Sequence, residues 1–287
     1  SILFSNGQIL NIGIQKTFGG SFNDILQKSI STNDGGIICI GQSSSSVSGD
    51  KNENSYGFND YWVVKFDQNL NLVWQKTIGG NQGENGLAIA ETPGGNFIIG
   101  GGSVSGISGL KTTPNLGNDD YWIVKLSSTG NFLWDASFGG AGTDILATIQ
   151  IDSLGFIYLG GQSNSDTSGT KSEFSKGSSD YWILKLDSLG NKIWDKTIGG
   201  SNSDVLKDFV LKDNGESVIY GISVSNISGD KTQNSFNNSS DLWVVKVSNT
   251  GAIIWDKTIG GNDIEINGFS IMFKERYYYR VCPSLSG

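Results

Sequence analysis

One phrase recurs through the chain and limits what it can fold into: Asp-Tyr-Trp and an apolar run, a polar turn, a second apolar run with its own tryptophan, then Gly-Gly. It spans Asp60 to Gly80, Asp120 to Gly140, Asp180 to Gly200 and, with Leu242 in place of the tyrosine, Asp241 to Gly261. Trp62, Trp122, Trp182 and Trp243 follow one another at intervals of 60, 60 and 61 residues, and Trp74, Trp134, Trp194 and Trp255 keep the same grid. A unit that recurs at this period buries its apolar face against its neighbours, so the 287 residues are expected to form one array and not two unrelated domains.

Within each unit the strand signals come in fours. Asp24 to Ser31 and Ile37 to Gly41 flank the turn Asn33-Asp34-Gly35-Gly36, whose Asn/Asp-Gly chemistry supplies the positive φ of a tight hairpin. A polar loop from Gln42 to Asn59 leads to the strands Tyr61–Phe66 and Leu72–Ile78. Units 81–140, 141–200 and 201–261 repeat the plan. The 41 glycines against 3 prolines fit many short strands and glycine turns, and no sustained helical period appears. Four antiparallel strands per unit, packed radially, predict an all-β propeller. Residues 1–20 match 61–80 in length and in the closing Lys-Thr-x-Gly-Gly, although Ser1-Ile2 stand in the register of Tyr61-Trp62. Residues 262–287 match the front half of a unit. The expected architecture is therefore a five-bladed β-propeller whose last blade is closed by the N- and C-terminal strands together.

In this arrangement Tyr121, Ile123 and Lys125 face one side of their sheet and Trp122, Val124 and Leu126 the other. Both sides meet neighbouring blades, so the tryptophans are expected in the inter-blade core.

Composition excludes several function classes. The net charge of −8, with only Arg276 and Arg280 as arginines, leaves no basic stripe for a nucleic acid. No apolar run approaches a membrane span, so membrane insertion is not expected. With no histidine, Ser-His-Asp and Cys-His catalysis and His-ligated metals are excluded. Cys39 and Cys282 make no disulfide framework and read as buried free thiols. The chain opens at Ser1 without a signal-peptide pattern, so export is not read from it directly.

Three features are expected to gather on the face carrying the strand two-to-three loops. Shortly after each Gly-Gly stands an acid: Asp24, Glu84, Asp144, Asp204 and Glu265. As a ring at the channel mouth they could hold a cation, with calcium the one cofactor candidate, or accept sugar hydroxyls. The plainer reading, which we favour, is that each accepts backbone N–H groups of the preceding glycine turn. Second, each long loop carries a lysine on the grid, Lys51, Lys111, Lys171 and Lys231, among polar residues and occasional aromatics (Tyr56, Phe58, Phe174, Phe236). Such loops suit carbohydrate, but a solvated lysine paired with an acid is the simpler expectation. Third, Asp60, Asp120, Asp180 and Asp241 at the loop-to-strand junctions are read as structural. No tuned carboxylate pair marks a glycosidase. The Glu275-Arg276-Tyr277-Tyr278-Tyr279-Arg280 stretch, where the repeat breaks, reads as a closure strand before it reads as a lyase site.

The phrase Asp-Tyr-Trp-Val-Val-Lys-Phe-Asp with Trp-Gln-Lys-Thr-Ile-Gly-Gly, followed by Gly-Asn-Phe-Ile-Ile-Gly-Gly-Gly-Ser, resembles the SBBP-type β-propeller repeats. It is closer to their relatives in secreted and cell-surface proteins of Bacteroidota-like bacteria. The resemblance covers essentially the whole chain. It implies a propeller in an extracellular or cell-surface setting and says little about activity. The resulting expectation is a non-catalytic extracellular module that binds glycan or protein through repeated sites on its loop-rich face, as a monomer or within a larger exported assembly. The alternatives are a polysaccharide-active enzyme using the axial carboxylates and a structural propeller spacer.

Overall fold

A computed structural model describes residues 16–261 and the strands at 270–274 and 277–281. Four four-stranded antiparallel sheets follow one another along the chain. The first holds β1 (Asp24–Ser31), β2 (Ile37–Ser43), β3 (Asp60–Phe66) and β4 (Leu72–Ile78); the second β5 (Glu84–Glu91), β6 (Phe97–Ser103), β7 (Asp120–Leu126) and β8 (Phe132–Phe138). The third holds β9 (Asp144–Ile151), β10 (Ile157–Ser163), β11 (Asp180–Leu186) and β12 (Lys192–Ile198); the fourth β13 (Asp204–Leu211), β14 (Ser217–Ser223), β15 (Asp241–Val247) and β16 (Ile253–Ile259). A two-stranded ribbon of β17 (Ser270–Lys274) and β18 (Tyr277–Val281) follows, with β17 against β13. Where five four-stranded blades were expected, the described residues form four such sheets and a ribbon. Residues 1–15 and 262–269, on which much of the composite blade rests, lie outside the described residues.

The strands of each sheet lie in sequence order, and the first strands pack on one another from sheet to sheet. This is a propeller-like arrangement with β1, β5, β9 and β13 innermost. The first hairpins turn where the sequence chemistry places them: Gly35 has φ +81° and Gly155 φ +86°, and the Asp152 carboxylate accepts the Leu154 and Phe156 amides at 3.0 and 2.9 Å.

The Tyr-Trp pair is the seam between sheets. Alternation sends the tyrosine to one face and the tryptophan to the other, and the tyrosine of each sheet meets the tryptophan of the next. Ring centroids stand 5.1 Å apart for Tyr61–Trp122, 4.8 Å for Tyr121–Trp182 and 5.0 Å for Tyr181–Trp243. Each phenol also donates to the main-chain carbonyl of that tryptophan, at 3.1, 3.1 and 3.2 Å. The buried hydroxyl therefore has a partner, and the seam gains direction as well as apolar area. Around the second seam pack Ile123, Leu146, Leu159 and Leu184. Around the first pack Ile40, Val63, Ile99 and Val124.

The second set of tryptophans lies at the margin of the inter-blade core expected of all eight: Trp74, Trp134 and Trp194 pack against its clusters but are only half-buried. Trp74 and Trp134 are half-buried, each lying over the turn glycine between strands three and four of the next sheet, Gly130 (φ +80°) and Gly190 (φ +89°). Trp74 Nε1 donates to the Ser128 carbonyl at 3.0 Å. Trp255 is 37 % exposed.

Candidate functional site

At the loop end of every sheet the first three strands finish in one register. Asp24, Ser43 and Asp60 stand opposite one another, as do Glu84, Ser103 and Asp120; Asp144, Ser163 and Asp180; and Asp204, Ser223 and Asp241. All of these except the half-buried Asp24 are fully buried.

The acids on the first strands hold the preceding turn. Gly20, Gly80, Gly140 and Gly200 donate their amides to Asp24, Glu84, Asp144 and Asp204 at 2.6, 2.9, 2.8 and 2.7 Å. Ser165 and Ser225 hydroxyls add bonds to Asp144 and Asp204. Glu84, Asp144 and Asp204 thus do not form the open ring at a channel mouth that the sequence suggested; burial has turned them inward onto the backbone. Glu265 lies outside the described residues. Among the described residues no three acids or cysteines are grouped to hold a metal ion.

The acids on the third strands hold the long loops. Asp60 accepts the Tyr56 amide (2.8 Å), Asp120 that of Leu116 (2.5 Å), Asp180 that of Lys176 (2.6 Å) and Asp241 that of Phe236 (2.6 Å). Their second oxygens explain the Gly-Gly motif. A Cβ on Gly79, Gly139, Gly199 or Gly260 would lie 1.8, 1.9, 1.8 or 1.8 Å from the Oδ1 of Asp60, Asp120, Asp180 or Asp241. The carboxylate fills the space that a side chain there would need. The second glycine answers to the next loop: a Cβ on Gly80 would meet Ser105 Cβ at 2.5 Å. Each junction therefore brings two carboxylates together from adjacent sheets. Burial, with the charge of Asp60 adding to it, raises the Glu84 pKa, and burial lifts Asp120 to about 6.

The grid lysines are the largest departure from expectation. Lys51, Lys111, Lys171 and Lys231 are 1–2 % exposed, not solvated. The ammonium groups of Lys51, Lys111 and Lys231 sit 5.9, 5.0 and 5.2 Å from the ring centroids of Trp62, Trp122 and Trp243. Lys51 donates to Ser43 Oγ and the Ser45 carbonyl (3.0 and 2.6 Å), and Lys111 to Ser137 Oγ. Lys171 and Lys231 donate to Thr197 and Thr258 hydroxyls, both at 2.7 Å. Burial pulls Lys111 down to about 8, against the opposing pull of Asp135 and Asp120. These lysines anchor the loop onto its own sheet and present nothing to a ligand.

What the loops do present is apolar. Tyr56, Phe58, Phe174 and Phe236 are exposed, and so are Val47, Ile107 and Ile227, a second series that sequence inspection passed over. Counting from the buried lysine, Tyr56 shares its register with Leu116, Lys176 and Phe236, whereas Phe174 shares its own with Asn54, Pro114 and Asn234. The aromatics are thus not one repeated position. Tyr56 leans across to the next loop, its Cδ1 3.0 Å from where a Cβ on Gly109 would sit. Lys176 at the same register reaches Asp230 of the next loop.

No known protein-family profile matches the chain. It is similar to the regulatory protein FlaEY of Caulobacter vibrioides, 26% identical over 218 residues, which cover 72% of this chain and 22% of that protein. The chain thus spans about a fifth of that relative's length. Among solved structures it is similar to the hydrazine synthase of Kuenenia stuttgartiensis (TM-score 0.35, 11% identity, 86% of this chain and 68% of that one). It is also similar to a chimera of an apocarotenoid oxygenase and RPE65 (TM-score 0.37, 12% identity, 68% and 44%).

Proposed function

We propose that the chain is a non-catalytic binding module, extracellular or at the cell surface, that takes a glycan on its loop-bearing face. The observation that carries this reading is the division of labour within the loops. The buried positions (the lysine, the loop-capping Asp, the two glycines) are kept from unit to unit, while the tips change: Tyr56, the half-buried Leu116, Lys176 and Phe236 at one register, and the exposed Asn54, Pro114, Phe174 and Asn234 at another. A constant scaffold with a varied, aromatic and hydroxyl-rich rim suits recognition, with ring faces stacking on aromatics and hydroxyls finding partners. The varied rim favours one composite surface over several equivalent pockets. A protein ligand is the second reading, favoured by the similarity to part of a longer regulatory protein. The test is a glycan array probed with purified chain, with calcium and again with chelator. Binding in both conditions is expected, since Glu84, Asp144 and Asp204 are turned inward onto the glycine amides. A blank array in both overturns the glycan reading.

We also infer that the four sheets are consecutive blades of a five-bladed ring, with residues 1–20 and 262–287 supplying the fifth. Three observations support closure. Leu242 replaces the clasping tyrosine in the fourth sheet, whose next neighbour in the ring would carry Ser1-Ile2 in the Tyr-Trp register. Phe18 stacks on Trp62 at 5.6 Å, where the other seam tryptophans meet a tyrosine. A cavity of about 430 Å³ lined by Phe18, Cys39, Ile40 and Trp62 lies on the face of the first sheet that its counterparts bury under a preceding sheet. In a Cys282→Ser variant, closure predicts slow alkylation of native Cys39. Alkylation as fast as in denaturant contradicts it.

A further inference from the structure

A protein surface receives an anion in two main ways, through a cationic side chain or through a row of backbone N–H groups. The loop end of every sheet contains both devices, and both are filled from within.

The loops from strand two to strand three and the turns from strand four to strand one contain, among the described residues, five lysines and no arginine. Four are Lys51, Lys111, Lys171 and Lys231, each buried on its own sheet. The fifth, Lys176, is paired with Asp230 of the next loop and donates to the Thr197 carbonyl at 2.8 Å. The amide rows are filled in the same way. At the turn into the second sheet Gly80, Asn81 and Gln82 donate in succession to the Glu84 carboxylate, Ser108 Oγ and Ser105 Oγ, each at 2.9 Å. The turn into the first sheet does this with Asp24, Ser48 and Ser45. The third uses Asp144, Ser168 and Ser165, and the fourth Asp204, Ser228 and Ser225. A carboxylate and two hydroxyls of the chain itself thus stand where the oxygens of an anionic ligand would bind.

The charge that these loops do leave at the surface is negative. Asp50 and Asp166 are exposed, meeting the amides of Gly19 and Ser175 at 3.1 and 3.2 Å. Asp119, half-buried where the other sheets carry Asn59, Ser179 and Ser240, adds a carboxylate beside Glu84, Asp120 and Asp144. An acidic ligand therefore approaches like charge, and to gain a donor it must displace a side chain from a bond already made. The exposed rings of Tyr56, Phe58, Phe174 and Phe236 carry no such penalty for an uncharged sugar, which stacks on them without an ion.

We propose that the loop face admits uncharged glycans and rejects acidic ones, so that its ligand is a neutral polysaccharide and not a uronate-bearing or sulfated chain. This rests on the glycan reading above and adds the charge class of the sugar to it.

The test is an array of neutral, uronate-bearing and sulfated oligosaccharides probed with the full chain in about 0.01 M and about 1 M sodium chloride, where the Debye length is roughly 30 and 3 Å. The variant is the double change Asp50→Lys with Asp166→Lys, which turns two exposed acids into exposed cations. The expected result for wild type is signals confined to neutral sugars and unchanged between the two salts. The double variant should keep those signals and gain uronate-bearing ones at least tenfold in low salt, losing them in high salt. Wild-type signals on acidic sugars that fade with salt overturn the proposal and leave the glycan reading standing. A double variant that still rejects acidic sugars shows that charge is not what excludes them, and also overturns it. No signal from any class in either salt overturns the glycan reading and the proposal with it.

Discussion

If the first glycine of each Gly-Gly is there because a carboxylate occupies its Cβ position, then Gly139→Ala is among the most damaging single-methyl changes the chain can receive. The added carbon would sit 1.9 Å from Asp120 Oδ1 and 2.9 Å from Asp144 Oδ2, both in a fully buried junction. Ordinary contact needs well over 3 Å, so Asp120 must turn away. Turning breaks the 2.5 Å bond it accepts from Leu116, the bond that ties the long loop to its strand. Losing a hydrogen bond to a charged acceptor costs about 1.5–3 kcal/mol, and forcing a carbon into a packed site a further ~1–3 kcal/mol. The expected loss is roughly 3–5 kcal/mol, a large part of the ~5–15 kcal/mol of a typical domain. Urea unfolding followed by tryptophan fluorescence would read it as a lower midpoint. The cycle with Asp120→Ala sharpens the test. That change alone costs about 1–3 kcal/mol because the Leu116 amide loses its acceptor, but in its background Gly139→Ala should add less than about 1 kcal/mol, giving a large coupling. Additive effects, or a Gly139→Ala midpoint equal to wild type, would refute the steric account of the motif.

Further outcomes follow from other parts of the fold. Tyr121→Phe keeps the ring packed against Trp182 and removes only the bond to its carbonyl, so the loss should be about 1 kcal/mol by urea unfolding; a loss above about 3 kcal/mol would mean that more than the hydroxyl is at stake. Asp119 stands at about 6 instead of its ordinary 3.8, because burial and the Asp120 charge favour the neutral acid. The folded state therefore binds more protons than the unfolded between those values, and this contribution to stability falls as pH rises through them. Asp119→Asn should gain about 1–2 kcal/mol near pH 7.5, discounted for its partial exposure, and lose the gain near pH 4; a gain that does not change with pH contradicts the charge argument. Lys111 shows the opposite sign: its folded pKa of about 8 lies below the ordinary 10.5, so wild type should gain stability as pH rises between the two, and Lys111→Met should lack that rise in unfolding midpoint. Gly130→Ala meets both a φ of +80° and the Trp74 ring at 2.8 Å, and should lower the thermal midpoint by several degrees, of the order expected for ~1–2 kcal/mol.

The strands were legible because their signals are local. Asp24–Ser31 and Leu72–Ile78 appear in the structure with the bounds that alternation and turn chemistry imply, and the Tyr-Trp alternation correctly assigned Tyr121 and Trp122 to opposite seams. The lysines were not legible. Lys111 sits in a polar, serine-rich loop whose local character says solvent; only the loop's return over Trp122 buries it, and that is a tertiary event. The acids were half legible: their spacing after Gly-Gly announced bonds to the glycine amides, but not that the partner acid from the third strand would stand where the glycine side chain would be. Asp119 was readable by laying the units side by side, with Asn59, Ser179 and Ser240 at its register. A repeat pattern is built from the positions the units share, and Asp119 stands at one where a single unit departs.

The claim that the loop face recognises the ligand is tested most directly by one glycan-array experiment with three proteins. These are wild type; a variant with Tyr56, Phe58, Phe174 and Phe236 changed to serine; and a control with the exposed turn residues Leu154 and Leu189 changed to serine. The account predicts that the loop variant loses the wild-type signals while the control keeps them. Signals that survive in the loop variant, or vanish in the control, would contradict it.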